Sequence, residues 1–169
     1  MIRPLALALA AALLATTAVA AQTADAPSAS AAPAEPIKGT PAENAGARPF
    51  TGDGMWKAFH EQDGVHRIVG DTIDLSMADP RISDIFKGND IPKLKTLLEE
   101  QFCYLLGGGC TYKGRDMKTA HKDMGLQMSD FNALVENLQT AMDREHVPFR
   151  DQNRLLAKLA PMERTTVTR

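Results

Sequence analysis

Apolar residues recur at helical spacing from Met55 to the C-terminal region, and no run alternates in the way of a strand. A short segment, Met55-Trp56-Lys57-Ala58-Phe59, leads. A longer one runs from about Glu61 to Met77, with Val65, Ile68, Val69, Thr72 and Ile73 on one face. Asp79-Pro80 stops it, because proline lacks the amide donor and restrains the residue before it. A turn over Ile82 to Phe86 and a Gly88-Asn89 loop follow. Asp90 then caps a helix with Pro92 in its first turn, and Leu94, Leu97, Leu98, Phe102, Leu105 and Leu106 form its stripe until Gly107-Gly108-Gly109. An irregular stretch, Cys110 to Arg115, gives way to a very short helix over roughly Asp116 to Asp123. On it, Met117, Ala120, His121 and Met124 share a face. Ser129 reads as the cap of the next helix, whose buried side is Phe131, Leu134, Val135, Leu138 and Met142. Val147-Pro148 divides it from a last helix with Leu155, Leu156 and Leu159 inward, which Pro161 kinks or ends.

The first fifty of the 169 residues follow a different pattern. One early Arg, an apolar run from Leu5 to Leu14 and the small residues up to Ala21 read as a secretory signal peptide over residues 1–21. That run is too short for a permanent membrane span, and no Cys lies there for a lipid anchor. Residues 22–50, rich in Ala, Pro, Ser, Thr and Gly, read as a disordered tether, since they bury too little to offset their ordering entropy. Residues 51–169 then form one all-α domain of ordinary size. The implied location is the periplasm or the medium. Net charge is −2 with dispersed basic residues, which argues against a nucleic-acid groove or a polybasic membrane patch.

Histidine is the informative residue type. His60, His66 and His146 sit at helix ends or edges, where solvent or the helix dipole accounts for them. His121 lies on an apolar face between Met117 and Met124. One reading is a core histidine bonded to a backbone carbonyl; the other is a metal ligand. Zinc needs three or four protein ligands, and no partners stand near His121 at ligand spacing. Haem iron needs only one, since the porphyrin supplies four. No catalytic constellation is visible: nucleophile elbow, phosphate loop and metalloprotease helix are all absent from the sequence. Asp71, Asp74 and Asp79 lack the glycine and terminal glutamate of a calcium loop and read as a solvated edge. Cys103 and Cys110 fit neither zinc nor the covalent haem motif. Export permits them to pair, and spacing alone leaves the pairing open.

The string LLGGGCTYKGRDMKTAHKDMGL resembles the middle of group 1 truncated haemoglobins: a helix ending in Gly107-Gly108, then Tyr112-Lys113-Gly114, then Met117-Lys118-Thr119-Ala120-His121. DFNALVENLQTAMDREHVP and LLAKLAP are similar to the family's last two helices, and MADPRISDIFKGND to its turn before a pocket phenylalanine. The resemblance covers about Met55 to Val167. It implies a two-on-two helical sandwich around haem b, with His121 as proximal iron ligand and Phe86 against the porphyrin. Met117, Leu126 and Phe131 match further haem contacts, and Lys93 and Tyr112 match positions near the propionates.

Two departures accompany it. The family's first helix leads into Gly-Gly, where this chain has His60-Glu61, so that corner is expected to be built differently. The family's distal tyrosine falls at Ile73, and its polar middle-helix positions fall at Leu94 and Leu98; Thr72 is the nearest small donor, and a one-residue slip would present Thr72 or Asp74. The resemblance implies reversible binding of oxygen, nitric oxide or carbon monoxide. The alternative is a haem enzyme that detoxifies nitric oxide or peroxide with an unidentified electron donor. A cleaved leader predicts that exported protein begins at Ala21 or Gln22. N-terminal sequencing checks this, and an intact Met1 would refute it.

Overall fold

The computed structural model describes residues 39–168, and the expected leader lies outside them. The elements are α1 Pro41–Asn44, α2 Gly54–Ala58, α3 Glu61–Ala78, a 3-10 turn Ser83–Phe86, α4 Ile91–Leu106, α5 Met117–Ala120, α6 Met128–Arg144, α7 Phe149–Leu159, a second 3-10 turn Ala160–Met162, and α8 Glu163–Thr166. There is no strand among the described residues. No helix among them is long and apolar enough to cross a membrane.

Local chemistry accounts for the boundaries. The Asp90 carboxylate accepts the Lys93 amide hydrogen and starts α4. Gly107, at φ 86°, ends it in the left-handed conformation that glycine adopts without penalty. Gln127, not Ser129, caps α6, in a reciprocal box with Asp130. Ser129 lies inside the first turn, so its side chain is spent on neither end. Pro161 turns the end of α7 into the 3-10 segment before α8.

α3 is the central element. It packs most extensively on α6 and next on α4, and α7 rests on α6. The main core gathers Met55, Phe59, Val65, Ile68, Val69, Phe102, Leu106, Leu138, Met142, Val147 and Leu155 from these helices. A second, smaller core holds Ala45, Leu105, Tyr112, Met117 and Met162. The α6 stripe is rotated from its expected face: Ala133, Leu138, Ala141 and Met142 are buried, whereas Leu134 is 36% exposed. Leu134 lies on a side of α6 that the main core does not reach.

Residues 39–50 correct the expected tether. Thr40 and Glu43 form a capping box around α1, with Pro41 in its first turn. Ala45 is fully buried, and the Phe50 amide donates to the Leu105 carbonyl at 2.8 Å. The Phe50 ring lies beneath the Lys158 ammonium, 4.1 Å from its centroid, and the Arg154 guanidinium, 5.1 Å away. The segment is a strap of small residues. It is held by close approach and backbone hydrogen bonds, which a count of large apolar residues does not register. Cys103 and Cys110 are joined as a disulfide, with Cα atoms 5.7 Å apart. In the chain-entropy description, so short a loop contributes roughly 2–3 kcal/mol.

The corner between α2 and α3 has a left-handed backbone without glycine. His60 and Glu61 have φ of 57° and 58°. Each such L-residue costs about 1–2 kcal/mol. His60 is held by Glu145, whose carboxylate meets His60 Nδ1 at 2.8 Å and accepts the Arg67 Nε hydrogen at 2.8 Å. Arg67 above all, with His60, lowers the Glu145 pKa to about 2 against the opposing effect of burial. Glu61 is exposed and makes no side-chain hydrogen bond among the described residues. Glu61→Gly therefore stabilises the fold by about 0.5–1 kcal/mol, after loss of its favourable charge at the start of α3. That corresponds to roughly 2–4 °C in Tm. His60→Gly gains less, because it also loses the Glu145 contact. Thermal unfolding of the two variants checks this order; a lower Tm for Glu61→Gly would overturn the account.

Candidate functional site

α5 is a single turn that exists to present one residue. The Asp116 carboxylate accepts the Thr119 amide hydrogen at 2.9 Å, and this bonding to Thr119 lowers the Asp116 pKa. Met117, 9% exposed, anchors the turn in the second core. His121 caps its C-terminal end, partly buried. The expected longer helix to Asp123 is not formed. Asp123 has φ 64°, and Met124 is 40% exposed rather than sharing an inward face.

His121 Nδ1 lies 2.8 Å from the Met117 carbonyl oxygen. A carbonyl only accepts, so Nδ1 carries the hydrogen, and in the neutral ring Nε2 then carries the lone pair. The two sequence readings of His121 thus meet in one geometry. The backbone bond of an ordinary core histidine also fixes the tautomer that leaves Nε2 ready to ligate. No group of three or more His, Cys, Asp or Glu side chains able to hold a bare metal ion exists among the described residues. A lone imidazole suits an iron whose four other ligands come from a porphyrin. Apolar surface accompanies it: Met124, Met128 and Leu134 are 40%, 48% and 36% exposed, and Leu126 and Phe131 in the same run are partly buried. Large apolar groups left open in the run of sequence that follows a candidate ligand fit a flat apolar cofactor.

The other expected site residues divide by environment. Phe86, on the first 3-10 turn, and Leu94 and Leu98, on α4, are partly buried. Lys93 is exposed, with no acidic partner among the described residues, and its amide serves the α4 cap. Tyr112 is only 7% exposed, and its hydroxyl donates to the Arg115 carbonyl at 3.1 Å. Its one hydrogen is therefore committed inside the protein, and burial pushes its pKa up. Ile73 is 1% exposed. Thr72 is buried, and its hydroxyl donates to the Ile68 carbonyl at 2.7 Å. Ser76 likewise donates to the Thr72 carbonyl. Asp74 is turned outward and paired with Lys95 at 2.7 Å.

One residue near the site escapes a reading by apolar stripe. Gln101 is 5% exposed, and its amide donates to the Ala45 carbonyl at 2.9 Å and to Met117 Sδ at 3.5 Å. The available signal is its register: it lies three residues after Leu98 and four before Leu105, a polar group in an inward position.

The family model for bacterial-like globins matches residues 57–168. A group 1 truncated haemoglobin of Tetrahymena thermophila is 39% identical over 66 residues, covering 39% of this chain and 54% of that protein. One from Mycolicibacterium paratuberculosis is 31% identical over 86 residues, covering 51% of this chain and 63% of that protein. The chain thus spans just over half of the first relative's length and under two thirds of the second's. The solved truncated haemoglobin of Tetrahymena pyriformis superposes with a TM-score of 0.65 at 24% identity, covering 68% of this chain and 98% of that one. The 2/2 haemoglobin of Synechococcus gives 0.64 at 22% identity, with the same coverage. The helical order and these superpositions define the class, an all-α two-on-two globin sandwich. The chain belongs to the bacterial-like globin family, and the relatives it matches are group 1 truncated haemoglobins.

Proposed function

We propose that this protein binds haem b, with His121 as the one protein ligand to iron, and reversibly binds a diatomic gas at the opposite face. The carrying observation is the His121–Met117 hydrogen bond, which leaves Nε2 as a directed lone pair. Haem supplies an iron site for oxygen, nitric oxide or carbon monoxide. With haem bound, His121 would hold the iron, Phe86, Leu94, Leu98, Leu126 and Phe131 would offer apolar contact, and the exposed Lys93 would offer a cation to a propionate carboxylate. The sequence has no covalent attachment motif, which supports non-covalent haem. The paired cysteines and the leader support an oxidising location, periplasmic or extracellular.

The residues that would face a bound gas are short of donors. A hydroxyl has one hydrogen, and that of Thr72 is already given to Ile68. Ile73, Leu94 and Leu98 have none. This favours gas binding over turnover of nitric oxide or peroxide, since those reactions draw on donors that stabilise developing negative charge.

Replacing His121 with Gly should abolish haem retention or weaken it greatly, and added imidazole should restore much of the absorbance spectrum. Unchanged haem content and spectrum in His121→Gly would falsify the ligand assignment.

A hydrogen bond to a partly charged group is worth about 1.5–3 kcal/mol, and 1.4 kcal/mol is tenfold in an equilibrium constant. Leu94→Gln, at a partly buried position, should therefore slow oxygen release by about ten- to a hundredfold and change carbon monoxide release far less. Stopped-flow measurement of both gases decides it. Equal effects on the two, or none, would mean that Leu94 does not face the ligand.

A further inference from the structure

The proximal ligand has a second support that the family resemblance does not supply. Gln101 Nε2 has two hydrogens, and the structure uses both: one on the Ala45 carbonyl at 2.9 Å, one on Met117 Sδ at 3.5 Å. Ala45 belongs to the N-terminal strap, Gln101 to α4, and Met117 to α5. Met117 in turn holds His121 Nδ1 at 2.8 Å through its carbonyl. The strap presses on the same residue from a second side. Gly46, at φ 82°, comes so close that a Cβ there would lie 3.1 Å from Met117 Cγ and 2.8 Å from Met162 Cε. Only glycine combines that conformation with that approach. The contact is dry: Ala45 is fully buried, Gln101 is 5% exposed and Met117 is 9% exposed. Buried donors left without acceptors are costly, so the amide fixes where Met117 sits.

We infer that Gln101 is a positioning residue for the proximal ligand, tying the Thr40–Phe50 strap to Met117 and thereby setting the direction and hydrogen bonding of the His121 imidazole. The inference rests on the proposed role of His121. A merely structural amide would stabilise the fold and leave the iron–imidazole bond unaltered. A positioning amide acts on that bond, because the partners of a ligating histidine tune its orientation and basicity.

The test uses the full exported chain with haem. Gln101→Leu keeps approximate volume and removes both donors. In the ferrous, ligand-free protein it should shift and broaden the iron–imidazole stretching band in resonance Raman, and haem loss to an excess of an apo-globin acceptor should accelerate about tenfold. A lowered Tm with an unchanged band and unchanged haem loss would overturn the inference. If Gln101→Leu fails to fold, Met117→Leu reads the same contact, since it removes the sulfur acceptor, leaves an apolar side chain in the core and keeps the backbone carbonyl. A shifted band there supports the inference, and an unchanged band overturns it. Failure of the wild-type chain to take up haem would instead overturn the His121 assignment on which this one stands.

Discussion

Everything at the site depends on the hydrogen bond from the His121 ring to the Met117 carbonyl. α5 is one turn long and has no cooperative helix to hold its shape, so isolated it would not persist. Its order is imported. The Asp116 cap starts it, the second core seats Met117, and α8 packs against it from the C-terminal side. The imidazole is therefore oriented by parts of the chain that lie far apart in sequence, and its geometry is a property of the folded whole.

Much of this was legible in the residues. The bounds of α3, α4 and α7 follow from Pro80, Asp90, Gly107 and Pro148, each acting through backbone chemistry. His121 stood out because no co-ligand accompanied it. The strap was not legible by composition, because its stability comes from small residues that allow close approach. The one local sign is Thr40-Pro41-Ala42-Glu43, which spells a capping box with proline in the first turn. The exposure of Leu134 and Met124 was equally hidden. A helical stripe shows that a face is apolar but not whether protein covers it.

The α2–α3 corner separates backbone shape from residue type. The resembled family has two glycines there, and His60-Glu61 in their place led to the expectation of a corner built differently. Here the backbone takes two left-handed residues in succession, with His60 secured by Glu145 at the end of α6. Glu145 is itself fixed by two hydrogen bonds from Arg67 on α3, so an ion-pair network does there what absent side chains do elsewhere. The same economy appears on α3 itself, where Thr72 and Ser76 spend their hydroxyls on the helix backbone.

The bond between Cys103 and Cys110 closes Tyr104 to Gly109 into a covalent ring. A peptide bond hydrolysed in the part of that ring beyond α4, from Leu106 to Cys110, would divide the chain between α4 and α5, yet leave the halves joined through sulfur. The nicked molecule would gain the mass of one water and separate into two fragments only on reduction. Proteolysis at this loop, the exposed Gly109 included, would therefore not by itself detach the segment bearing His121 from the rest of the fold.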